Sequence, residues 1–396
     1  MPSDRPERAR NARWRAPADV LAQMRREPGI TRASMARRLN LSSGSATEIT
    51  ARLRDLHLVD EAPAPVQGRG RPTTVLQPHL LGPLVLAAEL RHKDWRCAVA
   101  TLDGRERLLA TGRHASGDPG AMLNPLRHAI AGVQQRLGDR VRAVSLAVAG
   151  TVRDNQLVQA STLGWGRVDL TGLADSTGLP LLIGNDATLA GVAEARTGAA
   201  IGAGTALHLL VEVGIGGTLV VDGHPVTGAG GAAGEYGHVP FGSRRLRCPC
   251  GAYGCWDLEV DGRALARHLG DMSPADPRIY AVHILNRARS DPLAMRAVRA
   301  VAAALAAGIA GLVNAHDPEV VTIGGLARHL RAVAPADFDT AYINGLMTFR
   351  RAQLPPVLDA AHGDDGALRG TAAVGLDHIT SEAALAAWAD RHPSPT

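Results

Sequence analysis

The sequence predicts an α/β protein in which a small helical module with a β-hairpin precedes a much longer body of alternating strands and helices. Three observations predict it. Strand-like apolar runs such as "LVLAAEL", "AVSLAVAG", "LPLLIGND" and "EVVTIGGL" alternate with helical stretches after Pro78, the pattern of an α/β body. The segment before Pro78 breaks instead into short helices followed by two strand-like runs. Charge divides at the same place: residues 1–75 hold 14 Arg against 8 acidic residues, a surplus of 6, and the other 321 hold 29 basic and 30 acidic groups. At 396 residues and 45% apolar content, the chain is long enough for two or three cores.

In the N-terminal module, Val20, Leu21 and Met24 give the first helix an apolar stripe, and "PG" at 28–29 stops it. Thr31 can cap the second helix, in which Met35, Ala36 and Leu39 recur at helical spacing. "NLSSG" makes a tight turn, and a third helix from about Ser43 carries Ile49, Leu53 and Leu56 on its buried side. This is a helix-turn-helix arrangement, and its last helix offers Ser43, Ser45, Thr47, Glu48 and Arg52 to a DNA major groove. "LVDEAPAPVQGRGRPTTVLQP" reads as strand, flexible tip and strand, the shape of a wing. The tip projects Arg69 and Arg71, which suit a narrow, electronegative minor groove. With the basic surplus, the module is expected to bind double-stranded DNA.

The N-terminus is Arg-rich and has no apolar core region, so no signal peptide is expected. The longest apolar run, "AVAAALAAGIAGLV" at 300–313, is too short and Ala-rich to span a bilayer. A cytoplasmic protein with no membrane partner is expected. Three of the four cysteines crowd into "EYGHVPFGSRRLRCPCGAYGCWDLEV", residues 235–260. In a reducing compartment such clustering points to metal rather than to disulfides.

"GNDATLAGVAEA", "GIGGTLVVDG", "GEYGH", "CPCGAYGCWD" and "NAHDPEVVTIGG" follow one another in an order that resembles the ROK family of repressors, open reading frames and sugar kinases. With the helix-turn-helix, the resemblance runs from about residue 20 to 380 and is closest to the family's repressor branch. It implies a two-lobed, actin-like ATPase body of the sugar-kinase type. The spacing from His238 to Cys248, Cys250 and Cys255 suits a closed tetrahedral, structural Zn2+ site, with Gly251 and Gly254 relieving backbone crowding. The resemblance also implies that Asn185, Asp186, Glu235 and His238 hold sugar hydroxyls, as carboxylates readily do, with Asp186 as the base position of the family's kinases. Asp257 falls where the family has a sugar-binding Glu, one methylene longer, with Glu259 the next carboxylate; Thr162 falls where an Asn is common.

The nucleotide half departs further. Glu89, Arg91, His92 and Lys93 replace the Asp, two glycines and Thr of the family's first phosphate loop. Gly214, Gly216 and Gly217 remain in the second loop, but Glu212 and Val213 replace a Gly and a Thr. These side chains fill space that phosphates need. The expectation is therefore a chain that is not an enzyme, with Asp186 a vestigial base. The expected domains are a basic arm (1–16), a winged helix-turn-helix (17–77), a first lobe (78–190, with a helix at 367–392 returning to it) and a second lobe with the zinc knuckle (191–366). The expected function is a regulator, a repressor of carbohydrate uptake or catabolism genes, acting as a homodimer or higher oligomer on a palindromic operator with a sugar effector. The alternatives are an ATP-dependent sugar kinase with a fused DNA-binding domain, and a regulator that has lost its sugar and answers to a protein partner.

Overall fold

The computed structural model describes residues 11–64, 74–114, 117–161 and 163–392. Helices α1 (Arg15–Arg26), α2 (Arg32–Arg38) and α3 (Ser43–Asp55) are followed by antiparallel strands β1 (Val59–Pro63) and β2 (Thr74–Pro78). Side-chain caps set two of the starts: Thr31 accepts from Ser34 N at 3.1 Å and Ser42 from Ser45 N at 3.0 Å. Gly29 turns the chain at φ +83°, a conformation that glycine reaches without strain. Val20, Leu21, Met24, Met35, Leu53 and Leu56 are buried. The expected basic arm ends earlier than residue 16. Trp14 is fully buried beneath these helices, in one cluster with Val20, Leu21 and Met24. Arg69 and Arg71 lie outside the described residues.

The first lobe is a five-stranded sheet of β3 (Leu84–Leu90), β4 (Asp94–Ala100), β5 (Glu106–Arg113), β6 (Val141–Val148) and β9 (Leu181–Asn185), in the order β5-β4-β3-β6-β9. Helix α4 (Pro119–Leu137) precedes β6, and a small hairpin, β7 (Thr151–Arg153) with β8 (Gln156–Gln159), follows it. Alternation along the strands sorts side chains to two faces. Leu86, Ala88, Leu90, Val144 and Leu146 face the α4 side with Leu126 and Ile130. Val85, Ala87, Ala98 and Ala143 face the other way, into a core that also contains Trp14, Leu21, Met24 and Leu53 of the N-terminal module. The module and the first lobe therefore share one hydrophobic core.

After α5 (Asp186–Thr197), the second lobe repeats the same pattern with β10 (Thr205–Val211), β11 (Ile215–Val221), β12 (His224–Pro225), β13 (Val320–Gly325) and β14 (Val357–Asp359), in the order β12-β11-β10-β13-β14. In both sheets the central strand pairs antiparallel on one side and parallel on the other. Helices α6 (Gly262–Leu269), α7 (Pro277–Arg287), α8 (Pro292–His316), α9 (Leu326–Val333) and α10 (Pro335–Gly345) cover this lobe. Helix α8 has 25 residues and a mean hydropathy of 1.7 in its most apolar window, long and apolar enough by composition to cross a membrane. That is longer than the run at 300–313 suggested. Val298, Val301, Leu305, Ile309 and Val313 pack it into the lobe's core. Finally α11 (Gly366–Ile379) returns to the first lobe and α12 (Glu382–Arg391) to the N-terminal module. Helices α5 and α11 cross with almost no gap: a Cβ on Gly370 would lie 1.8 Å from the carbonyl oxygen of Leu189.

Candidate functional site

Between the two sheets lies a cleft of about 540 Å³, lined from the first lobe by Glu89, Thr151, Asn185 and Asp186 and from the second by Glu212, Glu235, His238 and Asp257. Its volume is in the range of small-molecule sites. Asn185 caps α5, accepting from Thr188 N at 2.9 Å, and its amide donates to Gly150 O at 3.1 Å. Its side chain is thus already engaged at both ends, which fixes the direction of Asp186 beside it. Desolvation pushes the Asp186 carboxyl up to about 7, against a bond from Ala187 N and with help from the nearby charges of Glu89, Glu212 and Glu235. A carboxyl poised near neutrality can take a proton from a hydroxyl bound in the cleft.

Glu235 belongs to the second lobe and is held from the first, because Thr151 Oγ1 donates to its Oε1. Its Oε2 lies 3.9 Å from His238 Nε2. Thr151 has no local sequence signal, since its partner is 84 residues away. His208 was also missed. It is buried at the base of the cleft with Nδ1 2.8 Å from Thr322 Oγ1 and no partner for Nε2 among the described residues, and burial lowers its pKa to about 4.

His238, Cys248, Cys250 and Cys255 converge so that one ligand atom from each lies within 4.8 Å of all the others. Cys250 Sγ is 3.6 Å from Cys255 Sγ, and Cys248 Sγ is 3.8 Å from His238 Nδ1. Tetrahedral bonds of the usual Zn–S and Zn–N lengths put ligand atoms about 3.6–3.8 Å apart, so the donor set fits such an ion. Gly251 and Gly254 have φ of +101° and +75°, as the tight knuckle requires. Trp256 anchors the segment by donating from Nε1 to Ala304 O at 3.0 Å.

Asp257 turns inward. Its Oδ1 accepts from Ile215 N at 2.6 Å, and its Oδ2 lies 3.8 Å from His238 Nδ1. The carboxylate seats against Gly237, where a Cβ would come within 1.9 Å of it. It therefore ties the knuckle to β11 while still lining the cleft. Glu259 accepts from Ser243 N at 2.9 Å instead. Thr162 lies outside the described residues.

Charged side chains in and beside the two loops at the family's phosphate-loop positions are paired. Arg96 donates to Glu89 at 2.5 Å and to Asp365 at 2.6 Å. Arg91 pairs with Asp94 at 2.6 Å, and Arg278 joins Glu212 at 2.7 Å to Asp364 at 3.5 Å. Burial pushes Glu212 up to about 7, against the pull of Arg278.

On α3, Ser43, Ser45, Thr47 and Glu48 are exposed on one continuous surface. Arg52 is half-buried instead, its guanidinium stacked 3.8 Å above the Trp14 ring. That placement favours packing over reach into a groove.

The ROK family model matches residues 93–378. The chain is 31% identical over 270 residues to kanosamine kinase of Amycolatopsis mediterranei, covering 66% of this chain and 85% of the kinase. A solved ROK family glucokinase from Streptomyces griseus, in complex with glucose and AMPPNP, aligns with a TM-score of 0.62 at 26% identity, covering 74% of this chain and 98% of that one. A solved ROK family transcriptional regulator, a homologue of the E. coli MLC protein, aligns with a TM-score of 0.72 at 23% identity, covering 94% of this chain and 97% of that one. These relatives correct one expectation. Altered phosphate loops led to a chain that is not an enzyme, yet named sugar kinases align over most of their own length and point to a kinase. The expectation let the altered loops outweigh Asp186, whose carboxyl stands in the cleft near neutrality. With the family model spanning most of the body, and with cleft and knuckle in place, the chain belongs to the ROK family.

Proposed function

We propose that this chain is a DNA-binding transcriptional regulator, a repressor of carbohydrate uptake or catabolism genes, with a sugar or sugar derivative as effector in the interlobe cleft. The observation that carries the reading is the exposed polar face of α3 on a three-helix, two-stranded module that shares its core with the first lobe. A homodimer would set two such helices in successive major grooves of a palindromic operator. Asp186 and Glu235 face the cleft as hydroxyl acceptors. A structural Zn2+ would be held by His238, Cys248, Cys250 and Cys255 and would fix the segment that carries Asp257. Working on chromosomal DNA, the protein would act in the cytoplasm. Genome-wide mapping of bound DNA tests the reading: discrete sites beside sugar transport or catabolic genes are expected, and uniform, salt-sensitive binding without preferred sites overturns it.

A second reading, phosphoryl transfer from ATP to a sugar in the same cleft, is favoured by Asp186, which is positioned and titrated for a base. A phosphotransfer assay across a sugar panel decides it. Turnover that disappears in Asp186→Asn supports it, and turnover no higher than in that variant rejects it.

A further inference from the structure

One carboxylate joins the cleft helix to the DNA-binding module. Asp377, on α11, accepts at Oδ1 from Arg25 Nη2 at 3.0 Å and at Oδ2 from Arg196 Nη1 at 2.5 Å. Arg25 lies in the last turn of α1, and its Nη1 also donates to Thr380 Oγ1 at 3.2 Å. Arg196 lies in the last turn of α5, the helix whose first residue is Asp186. Both guanidiniums are largely shielded, with side-chain exposures of 12% and 22%. Each oxygen of Asp377 therefore serves a different part of the molecule. The two arginines, which would repel each other, are bridged by the charge between them, and Arg196 Nε also donates to Gly223 O at 3.3 Å.

We propose that Asp377 is a relay that couples the position of α5, and hence the state of the cleft, to the seating of α1 in the DNA-binding module. The proposal rests on the regulator reading above. Residues 186 and 196 are separated by ten helical steps, about 15 Å, so a stiff α5 carries a displacement at Asp186 to Arg196. The close approach of Gly370 to Leu189 brings the backbones of α5 and α11 together at their crossing. With little slack there, α5 moves by sliding or turning against α11, and that motion changes the Arg196–Asp377 separation. A shift of about 1 Å takes either bond out of hydrogen-bond range. Asp377 then turns to the guanidinium that remains, and the other arginine keeps only its neutral bond, Arg25 to Thr380 Oγ1 or Arg196 to Gly223 O. That is an element with two discrete arrangements, one helix held or both, which physical coupling between sites requires.

Hydrogen exchange on the full-length chain tests the relay without DNA or sugar. Arg196→Gln does not touch the DNA-binding module, yet it is expected to speed exchange across residues 15–26 threefold or more. Asp377→Asn should do at least as much, and the double variant no more than Asp377→Asn alone. Because coupling is reciprocal, Arg25→Gln should alter exchange across residues 186–197, which keeps the test open if Asp377→Asn fails to fold. Unchanged exchange at 15–26 in Arg196→Gln overturns the relay, as does an effect of Arg196→Gln that persists undiminished on Asp377→Asn. Either result leaves the regulator reading standing, whereas a coupled chain that binds no DNA sites overturns that reading alone.

Discussion

Trp388 donates its indole N–H to the backbone carbonyl of Leu56 at 2.8 Å, joining the last helix of the chain to the C-terminal cap of α3. The carbonyl is one that a helix end leaves without an internal partner, and the indole satisfies it where water is excluded. Trp388→Phe keeps most of the apolar area and removes the donor. It should cost about 1–3 kcal/mol, whereas Trp388→Ala should cost about 3–5 kcal/mol. Urea unfolding of both variants measures the difference, and equal losses would assign the whole effect to packing.

The knuckle gives a sharper test. The purified protein should carry one zinc ion per chain by elemental analysis. Cys255→Ser should lose it and unfold at lower temperature, because the metal's binding energy is part of the folding energy of such sites. Cys97→Ser, whose sulfur lies in the first-lobe core far from the cluster, should retain the full metal content.

Asp186 makes stability depend on pH. Its carboxyl lies near 7 in the folded protein against 3.8 in the unfolded chain, so across that interval the folded state holds a proton the unfolded state has released. Stability from this group is therefore present at low pH and lost as pH rises from about 4 to 7, with a slope no steeper than about 1.4 kcal/mol per pH unit. Asp186→Asn removes the term, so the variant should gain on the wild type as pH rises through that window. Parallel curves from pH 4 to 8 would show that the carboxylate is better solvated than its position implies.

On α3, function and stability should separate. Arg52→Ala removes the stack on Trp14 and should cost about 0.5–1 kcal/mol, seen in thermal unfolding. Thr47→Ala and Glu48→Ala, on the exposed face, should change stability by no more than about 0.5 kcal/mol while altering the sequence preference of bound DNA in a selection experiment.

Much of the fold was legible because its signals are local. Thr31 and the glycine at 29 mark helix boundaries within three residues of themselves, and the knuckle is written in the spacing of four residues. The cleft was legible only in part, because its contacts are distant in sequence. Thr151 meets Glu235 across 84 residues, and outside the cleft Arg25 meets Asp377 across 352. No periodicity records either pair. The basic character of residues 1–16 hides Trp14, whose ring lies in a core. Asn185 was read as a sugar contact, and its amide turns out to cap the helix that aims its neighbour.

The two sheets repeat one strand pattern, so the turn after β3 and the turn after β10 occupy equivalent places on opposite walls of the cleft. The first carries Arg91 and Lys93, the second Glu212, and Arg91 acts electrostatically on Glu212 across the gap. Unlike charges on facing walls attract whether or not anything lies between them. Each is also paired on its own wall, Arg91 with Asp94 at 2.6 Å and Glu212 with Arg278 at 2.7 Å, so the pull across the gap is a remainder that added salt screens over a Debye length of about 8–10 Å.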